Sequence, residues 1–152
     1  MLRLSKLTDY AVVIMAQLAR EPQRLYTTAE LATELNLPKP TVSKLLKMLI
    51  KAELLISKRG VQGGYQLAKE AHRIVASDLI IAIEGPLAMT ECSLAEHQCD
   101  RVEHCGVADN WQRVTQAIHQ LLASVTLAQL AQKQPIKLPW VQIQALNLIQ
   151  AS

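Results

Sequence analysis

The chain has 152 residues, half of them hydrophobic, which suits one medium-sized domain or a small domain with an appendage. Phe is absent and aromatics are few, so the core must be built from Leu, Ile, Val and Ala, a palette that favours helices. No run of about 18 apolar residues occurs, which excludes a membrane-spanning segment.

The net charge of +3 conceals a split. Residues 1–75 carry twelve Lys and Arg against six Asp and Glu; residues 76–152 carry four against seven. A basic first half suggests that this half meets a polyanion. At the start, Asp9 and Tyr10 interrupt the apolar stretch that a signal peptide would need, so the expected location is the cytoplasm. Thiols stay reduced there and can hold metal.

Leu4, Leu7, Ala11, Ile14, Met15 and Leu18 recur at spacings of three and four, one face of an amphipathic helix. Asp9 sits in its early turns, where the helix dipole favours an acid. Thr27-Thr-Ala-Glu30 is a capping box, with Tyr26 and Leu31 at the staple positions, and predicts a short helix over 28–35. Asn36-Leu-Pro-Lys39 reads as a turn, and Pro40 suits the first turn of the next helix. In that helix Val42, Leu45, Leu46 and Leu49 face inward, while Lys39, Thr41, Ser43, Lys44, Lys47 and Lys51 stay outside. The pair reads as a helix-turn-helix, or else as a helical hairpin with a solvated lysine face.

The next stretch favours the first reading. Leu54-Leu-Ile-Ser-Lys-Arg59, Gly60-Val-Gln-Gly-Gly64 and Tyr65-Gln-Leu67 predict two short strands around a Gly-rich loop with cations at its base. Such a hairpin after a helix-turn-helix is the wing of a winged helix. Gly63 and Gly64 are expected to permit positive φ and close backbone approach. No helix follows to make the loop a phosphate cradle. Ser77 or Asp78 is expected to cap a further helix through Ile83, which Gly85-Pro86 stops.

All three cysteines lie in one stretch, Cys92 to Cys105, spaced C-x6-C-x5-C. This spacing lacks the short clip typical of structural zinc, and it leaves an iron–sulfur cluster, zinc and plain thiols all open. Beyond it, Val107, Trp111, Val114, Ile118, Leu121 and Val125 form a heptad seam that suggests a dimer, or a helix packed on its own domain. Thr126-Leu-Ala-Gln129 is a second capping box and starts a last short helix. No nucleophile triad or paired-carboxylate motif supports an enzyme.

Four features in order resemble the Rrf2 family of bacterial winged-helix regulators. They are Leu4-Ser-Lys-Leu-Thr-Asp-Tyr-Ala11, Thr41-Val-Ser-Lys-Leu-Leu-Lys47, the wing Arg59-Gly-x-x-Gly-Gly-Tyr65, and the three-cysteine stretch. Glu84-Gly-Pro-Leu-Ala-Met-Thr-Glu-Cys92 and Asn110-Trp-Gln-Arg113 are most similar to the branch that regulates the SUF cluster-assembly operon. The resemblance implies a mainly α fold with a small β wing. Residues 1–84 would form the winged helix-turn-helix domain and 85–106 the cysteine loop. Residues 107–133 would form the dimerisation helix with a short helix after it, and 134–152 a tail.

The resemblance further implies a homodimer on a double-stranded DNA operator, acting as a repressor of iron–sulfur assembly genes. Lys39, Thr41, Ser43, Lys44, Lys47, Lys58, Arg59, Gln62 and Gly63 would meet DNA. An iron–sulfur cluster would be held by Cys92, Cys99 and Cys105. In the IscR-type branch a histidine three residues after the last cysteine completes a two-iron site; here that position is Ala108. In the NsrR-type branch an aspartate of the first helix reaches over from the partner, and Asp9 stands at the matching position. This favours a four-iron cluster over a two-iron one, with His97, His104 and Asp109 as other candidate ligands. The alternatives are a nitric-oxide or redox sensor of the same fold, or a zinc or thiol switch.

Overall fold

The computed structural model describes residues 4–88, 90 and 106–136. The element order is α1 (Lys6–Arg20), α2 (Thr28–Glu34), α3 (Lys39–Lys51), β1 (Leu55–Lys58), β2 (Gly64–Leu67), a 3-10 turn (Ala71–Arg73), α4 (Ala76–Glu84), α5 (Ala108–Ala123) and α6 (Leu127–Leu130). The fold is mainly helical with a two-stranded antiparallel wing.

The α1 helix starts where Ser5 Oγ accepts from the Thr8 amide at 3.3 Å. Its inward face, Ala11, Ile14, Met15 and Leu18, is buried, whereas Leu4 lies before the first turn and is half exposed. The expected capping box starts α2: Glu30 N–H donates to Thr27 Oγ1 at 3.2 Å, and Thr27 N–H donates to Glu30 Oε2 at 2.7 Å. Tyr26 and Leu31 are both fully buried beside it.

The α2–α3 turn is closed by backbone geometry. Asn36 adopts φ 51°, and the Leu37 amide donates to Ala32 O at 2.9 Å while the Asn36 amide donates to Thr33 O at 3.2 Å. This is the Schellman pattern, with Asn in the left-handed position. The end of α3 repeats it with Glu53 at φ 57°, Leu54 N–H donating to Leu49 O and Glu53 N–H to Ile50 O. Along α3, Val42, Leu45, Leu46 and Leu49 are all fully buried. Burial of side chains this size stabilises by roughly 1.5–3 kcal/mol each.

The wing strands pair Leu55 with Leu67, Ile56 with Gln66, Ser57 with Tyr65 and Lys58 with Gly64. A further rung comes from earlier in the chain. Tyr26 and Tyr65 exchange both backbone hydrogen bonds, at 3.1 and 2.8 Å, so the segment entering α2 borders β2. The expected role of the wing glycines needs correction. Gly63 and Gly64 do not adopt positive φ; among the wing glycines Gly60 does, at +123°. A Cβ on Gly63 would lie 2.4 Å from Lys58 O, and one on Gly64 would lie 2.8 Å from Tyr26 O. Both are glycine because other backbone passes close by, the wing's own at Gly63 and the Tyr26 segment at Gly64.

The expected cap of α4 is also corrected. Neither Ser77 nor Asp78 is the N-cap, because the helix starts earlier, after Val75. Asp78 stands at the third helical position, and its carboxylate accepts from the Val75 amide at 3.2 Å. Ser77 is buried. Gly85, at φ 90°, ends the helix as expected.

Of the expected heptad positions, Trp111, Val114, Ile118 and Leu121 fall within α5, whereas Val107 is its N-cap and Val125 lies past its end. Val125 lies beyond the C-cap Ser124, buried, with its carbonyl accepting from the Ala76 amide at 2.8 Å. Thr126 and Gln129 form the predicted capping box of α6, and Leu127 enters the same core as α1 and α3. The Leu127 amide donates to Ile74 O at 2.7 Å, so the end of α5 is fastened to the first half of the chain.

Candidate nucleic-acid interface and sensor site

The outer face of α3 carries Lys39, Lys44, Lys47 and Lys51, all exposed, with Thr41 and Ser43 half-buried at its flanks. No acidic residue occurs within Lys39–Lys51. Among the described residues, no ion pair engages these lysines, Lys58 or Arg59. Their charge is therefore free to attract phosphate. On the wing, Lys58, Arg59 and Gln62 are exposed and Gly63 is half-buried.

A surface groove of about 450 Å³ runs between the wing base and the start of α2, lined by Thr27, Thr28, Ser57, Lys58, Arg59 and Tyr65 with the wing glycines. No local sequence signal joins Thr27, Thr28 and Ser57 to the basic surface. The Tyr26–Tyr65 rung does so, by setting Thr27 beside Gly64. A long-range pairing of this kind leaves no periodic signal.

Behind this surface, Arg24 stacks over the Tyr26 ring at 4.2 Å and contacts Glu21, Glu30 and Glu34 at 3.5, 3.4 and 3.0 Å. Tyr26 OH donates to Glu21 Oε1 at 3.0 Å, and burial followed by that bond raises the Tyr26 pKa. Thr27, first through its backbone amide and then its hydroxyl, holds the Glu30 carboxyl below the usual range.

The other sequence-predicted site involves Cys92, Cys99, Cys105 and Asp9. The three cysteines lie outside the described residues, as do His97 and His104. Asp9 is exposed in the first turn of α1 and forms no ion pair among the described residues. It borders a groove of about 770 Å³ together with Leu4, Val12, Ile80, Leu122 and Leu130. Ala108, at the start of α5, is buried, and Asp109 beside it is exposed.

One contact joins the end of α4 to the turn that carries Asp9. Glu84, the last residue of α4, accepts from the Ser5 amide at 3.0 Å and from the Thr8 hydroxyl through Oε1. Hydrogen bonds from Ser5 and then Thr8 hold its carboxyl below the usual range. The end of α4 is thus fastened to the turn that carries Asp9. Soft thiols and a hard carboxylate are donor types that iron–sulfur clusters take, the carboxylate being the weaker of them.

Val107 at the N-cap of α5 and Trp111 and Val114 within it are 54%, 40% and 43% exposed, while Ile118 and Leu121 are half-buried. The seam is thus covered at its C-terminal end and bare at its N-terminal end. No described helix is long and apolar enough to cross a membrane.

The sequence profile of the Rrf2 family, described as an iron-dependent transcriptional regulator, matches residues 4–133. The chain is 31% identical over 131 residues to the HTH-type transcriptional regulator CymR of Bacillus subtilis, covering 86% of this chain and 90% of that one. The solved structure of the B. subtilis protein, titled as the global cysteine regulator, superimposes with a TM-score of 0.69 at 30% identity, covering 89% of this chain and 100% of that one. The structure of T. potens IscR superimposes at 0.66 with 28% identity, covering 93% and 96%.

Proposed function

This chain belongs to the Rrf2 family of transcriptional regulators, and from that premise we propose that it is an iron–sulfur-sensing repressor of cluster-assembly genes, acting as a homodimer. The observation that supports the sensing reading is Asp9, exposed in the first turn of α1 and in no ion pair among the described residues, which leaves it available to a cluster on the partner chain. Cys92, Cys99 and Cys105 would hold a cluster, four-iron in preference to two-iron, and Asp9 of the opposite protomer would complete it. The bound cluster would supply a centre that responds to oxidants or nitric oxide. A carboxylate is a poor match for a soft site, so Asp9 is the ligand that yields first.

Thr41, Ser43, Lys44 and Lys47 would enter the major groove, with Lys39 at the helix start near the backbone. Arg59 and Gln62 would meet the adjacent minor groove or its phosphates, and Lys58 the backbone. Gly63 acts by keeping the wing turn tight. The bare end of the α5 seam supports pairing of two chains, and residues 85–106 join that seam to the reading domain. A change in how the three cysteines are tied then alters the spacing of two recognition helices set for half-sites about 34 Å apart.

A second reading, a thiol or zinc switch on the same scaffold, is favoured by the likeness to CymR, whose structure is titled as that of a cysteine regulator. Anaerobic purification separates the two. The proposal expects visible absorbance with iron and sulfide in comparable amounts, lost in Cys92→Ala, Cys99→Ala and Cys105→Ala. A colourless protein with zinc or no metal, and with DNA affinity that follows thiol oxidation, establishes the switch instead.

A further inference from the structure

Val61 at the wing tip is 107% exposed, more than any other large hydrophobic residue among those described. A single exposed valine needs no explanation in itself. Its setting supplies one. The Gly63 amide donates to Gly60 O at 2.9 Å and closes a four-residue turn, Gly60 to Gly63, with Val61 and Gln62 at its two corners. Gly60 at φ +123° and the 2.4 Å approach that bars a Cβ at Gly63 fix how this turn leaves the strands. Val61 is therefore held out on a constrained turn, two residues from Arg59 and three from Lys58, both free of ion pairs among the described residues. Cations flanking one apolar side chain match an anionic groove whose floor is less polar than its walls.

We infer that Val61 is a specificity-determining residue that reads the minor groove of the operator by excluding G·C pairs under the wing. This rests on the reading of the wing as a minor-groove element. In the minor groove A·T and T·A present acceptors alone, and G·C adds the guanine N2 amino donor on the floor. The isopropyl group of Val61 has no acceptor for that donor. Seated over G·C, it strips water from the amino group and leaves it unbonded. Over A·T no donor is stranded, and its methyl groups pack against sugar and base edges. Arg59 beside it adds attraction to the narrow minor groove of A·T-rich sequence, so the two residues discriminate in the same direction through different physics.

The test uses the full chain and an operator recovered by selection from random DNA. Hydroxyl-radical footprints of the wild type and Arg59→Ala locate the base pairs under the wing. Those pairs are then made A·T, G·C or inosine·C; the last lacks the N2 amino group but keeps the major-groove face of G·C. The wild type is expected to bind the A·T and inosine·C operators alike and the G·C operator roughly tenfold more weakly, the cost of one stranded donor. Val61→Ser supplies a hydroxyl acceptor and should shrink that penalty to about threefold or less, with salt dependence unchanged because no charge is lost. An undiminished G·C penalty in Val61→Ser, or an inosine·C operator as weak as G·C, overturns the role of Val61 while the wing footprint still stands. Loss of the footprint itself, with Arg59→Ala binding like the wild type, overturns the minor-groove placement of the wing and this inference with it.

Discussion

The Glu84 carboxylate accepts from the Thr8 hydroxyl across a separation of 76 residues, joining the end of α4 to the first turn of α1. Its folded-state pKa is depressed by the Ser5 and Thr8 bonds from the ordinary 4.5. A depressed carboxylate contributes stability that is present above its unfolded pKa and lost as pH falls through the folded value. The wild type should therefore lose stability on acidification below about pH 4.5. Glu84→Gln should be less stable near neutrality and show a shallower loss over that window, as followed by denaturant midpoints against pH. Parallel profiles for the two proteins would show that the bond carries no linkage.

Val114 on α5 is the sharper probe of pairing between chains, because it is exposed in the single protomer. Val114→Asp leaves an acid in water in the monomer but buries it in a paired seam, where an uncompensated charge is costly. The variant should keep its helical content and sediment as a monomer with weakened operator binding. A tight dimer would place the interface elsewhere.

Glu53 occupies the left-handed position that ends α3, at φ 57°. A Cβ is unfavourable there, and glycine is the usual solution. Glu53→Gly should raise stability by up to about 1 kcal/mol, measurable by thermal or denaturant unfolding. A comparable loss would mean that the Glu53 side chain contributes more than its backbone costs.

The lysines of α3 and Arg59 differ in what they do. Lys44→Ala or Lys47→Ala should weaken binding to all sequences and reduce the slope of log affinity against log salt by about one per lost phosphate contact. Arg59→Ala should cost more on operators with A·T-rich sequence under the wing than on others. Equal losses on both would reduce Arg59 to a phosphate contact.

Asp9 separates structure from sensing. If it only complements the α1 dipole, Asp9→Ala costs roughly 0.3–1 kcal/mol and nothing else. As the fourth ligand, the same change leaves the fold intact, shifts the visible spectrum and shortens cluster lifetime in air. An unchanged spectrum, cluster lifetime and DNA response would move that ligand to His97, His104 or Asp109.

The elements readable from the residues were those whose cause is local. The Thr27–Glu30 and Thr126–Gln129 boxes, the buried stripe of α3 and the Gly-rich wing each carry their signal within a dozen residues. Features set by distant partners were not readable. Val75 precedes α4 without a polar side chain to announce it, because its amide is satisfied by Asp78. Val125 keeps the heptad spacing yet leaves the helix, because Ala76 draws its carbonyl into a bridge. The Tyr26–Tyr65 rung and the Glu84 bond join residues with no common period. The thiols and Asp9 are legible from the residues as donor types, whereas no sequence pattern sets their mutual placement.

The Tyr26–Tyr65 rung has a thermodynamic consequence for recognition. A Gly-rich hairpin standing alone would sample many orientations, and a duplex would have to select one, forfeiting binding free energy to the entropy of ordering. Here the sheet edge is already hydrogen-bonded to the segment that starts α2, and α2 is joined to α3 by a closed turn. The angle between the hairpin and the recognition helix is thus fixed before any duplex arrives, and the free energy of contact goes into distinguishing one site from another.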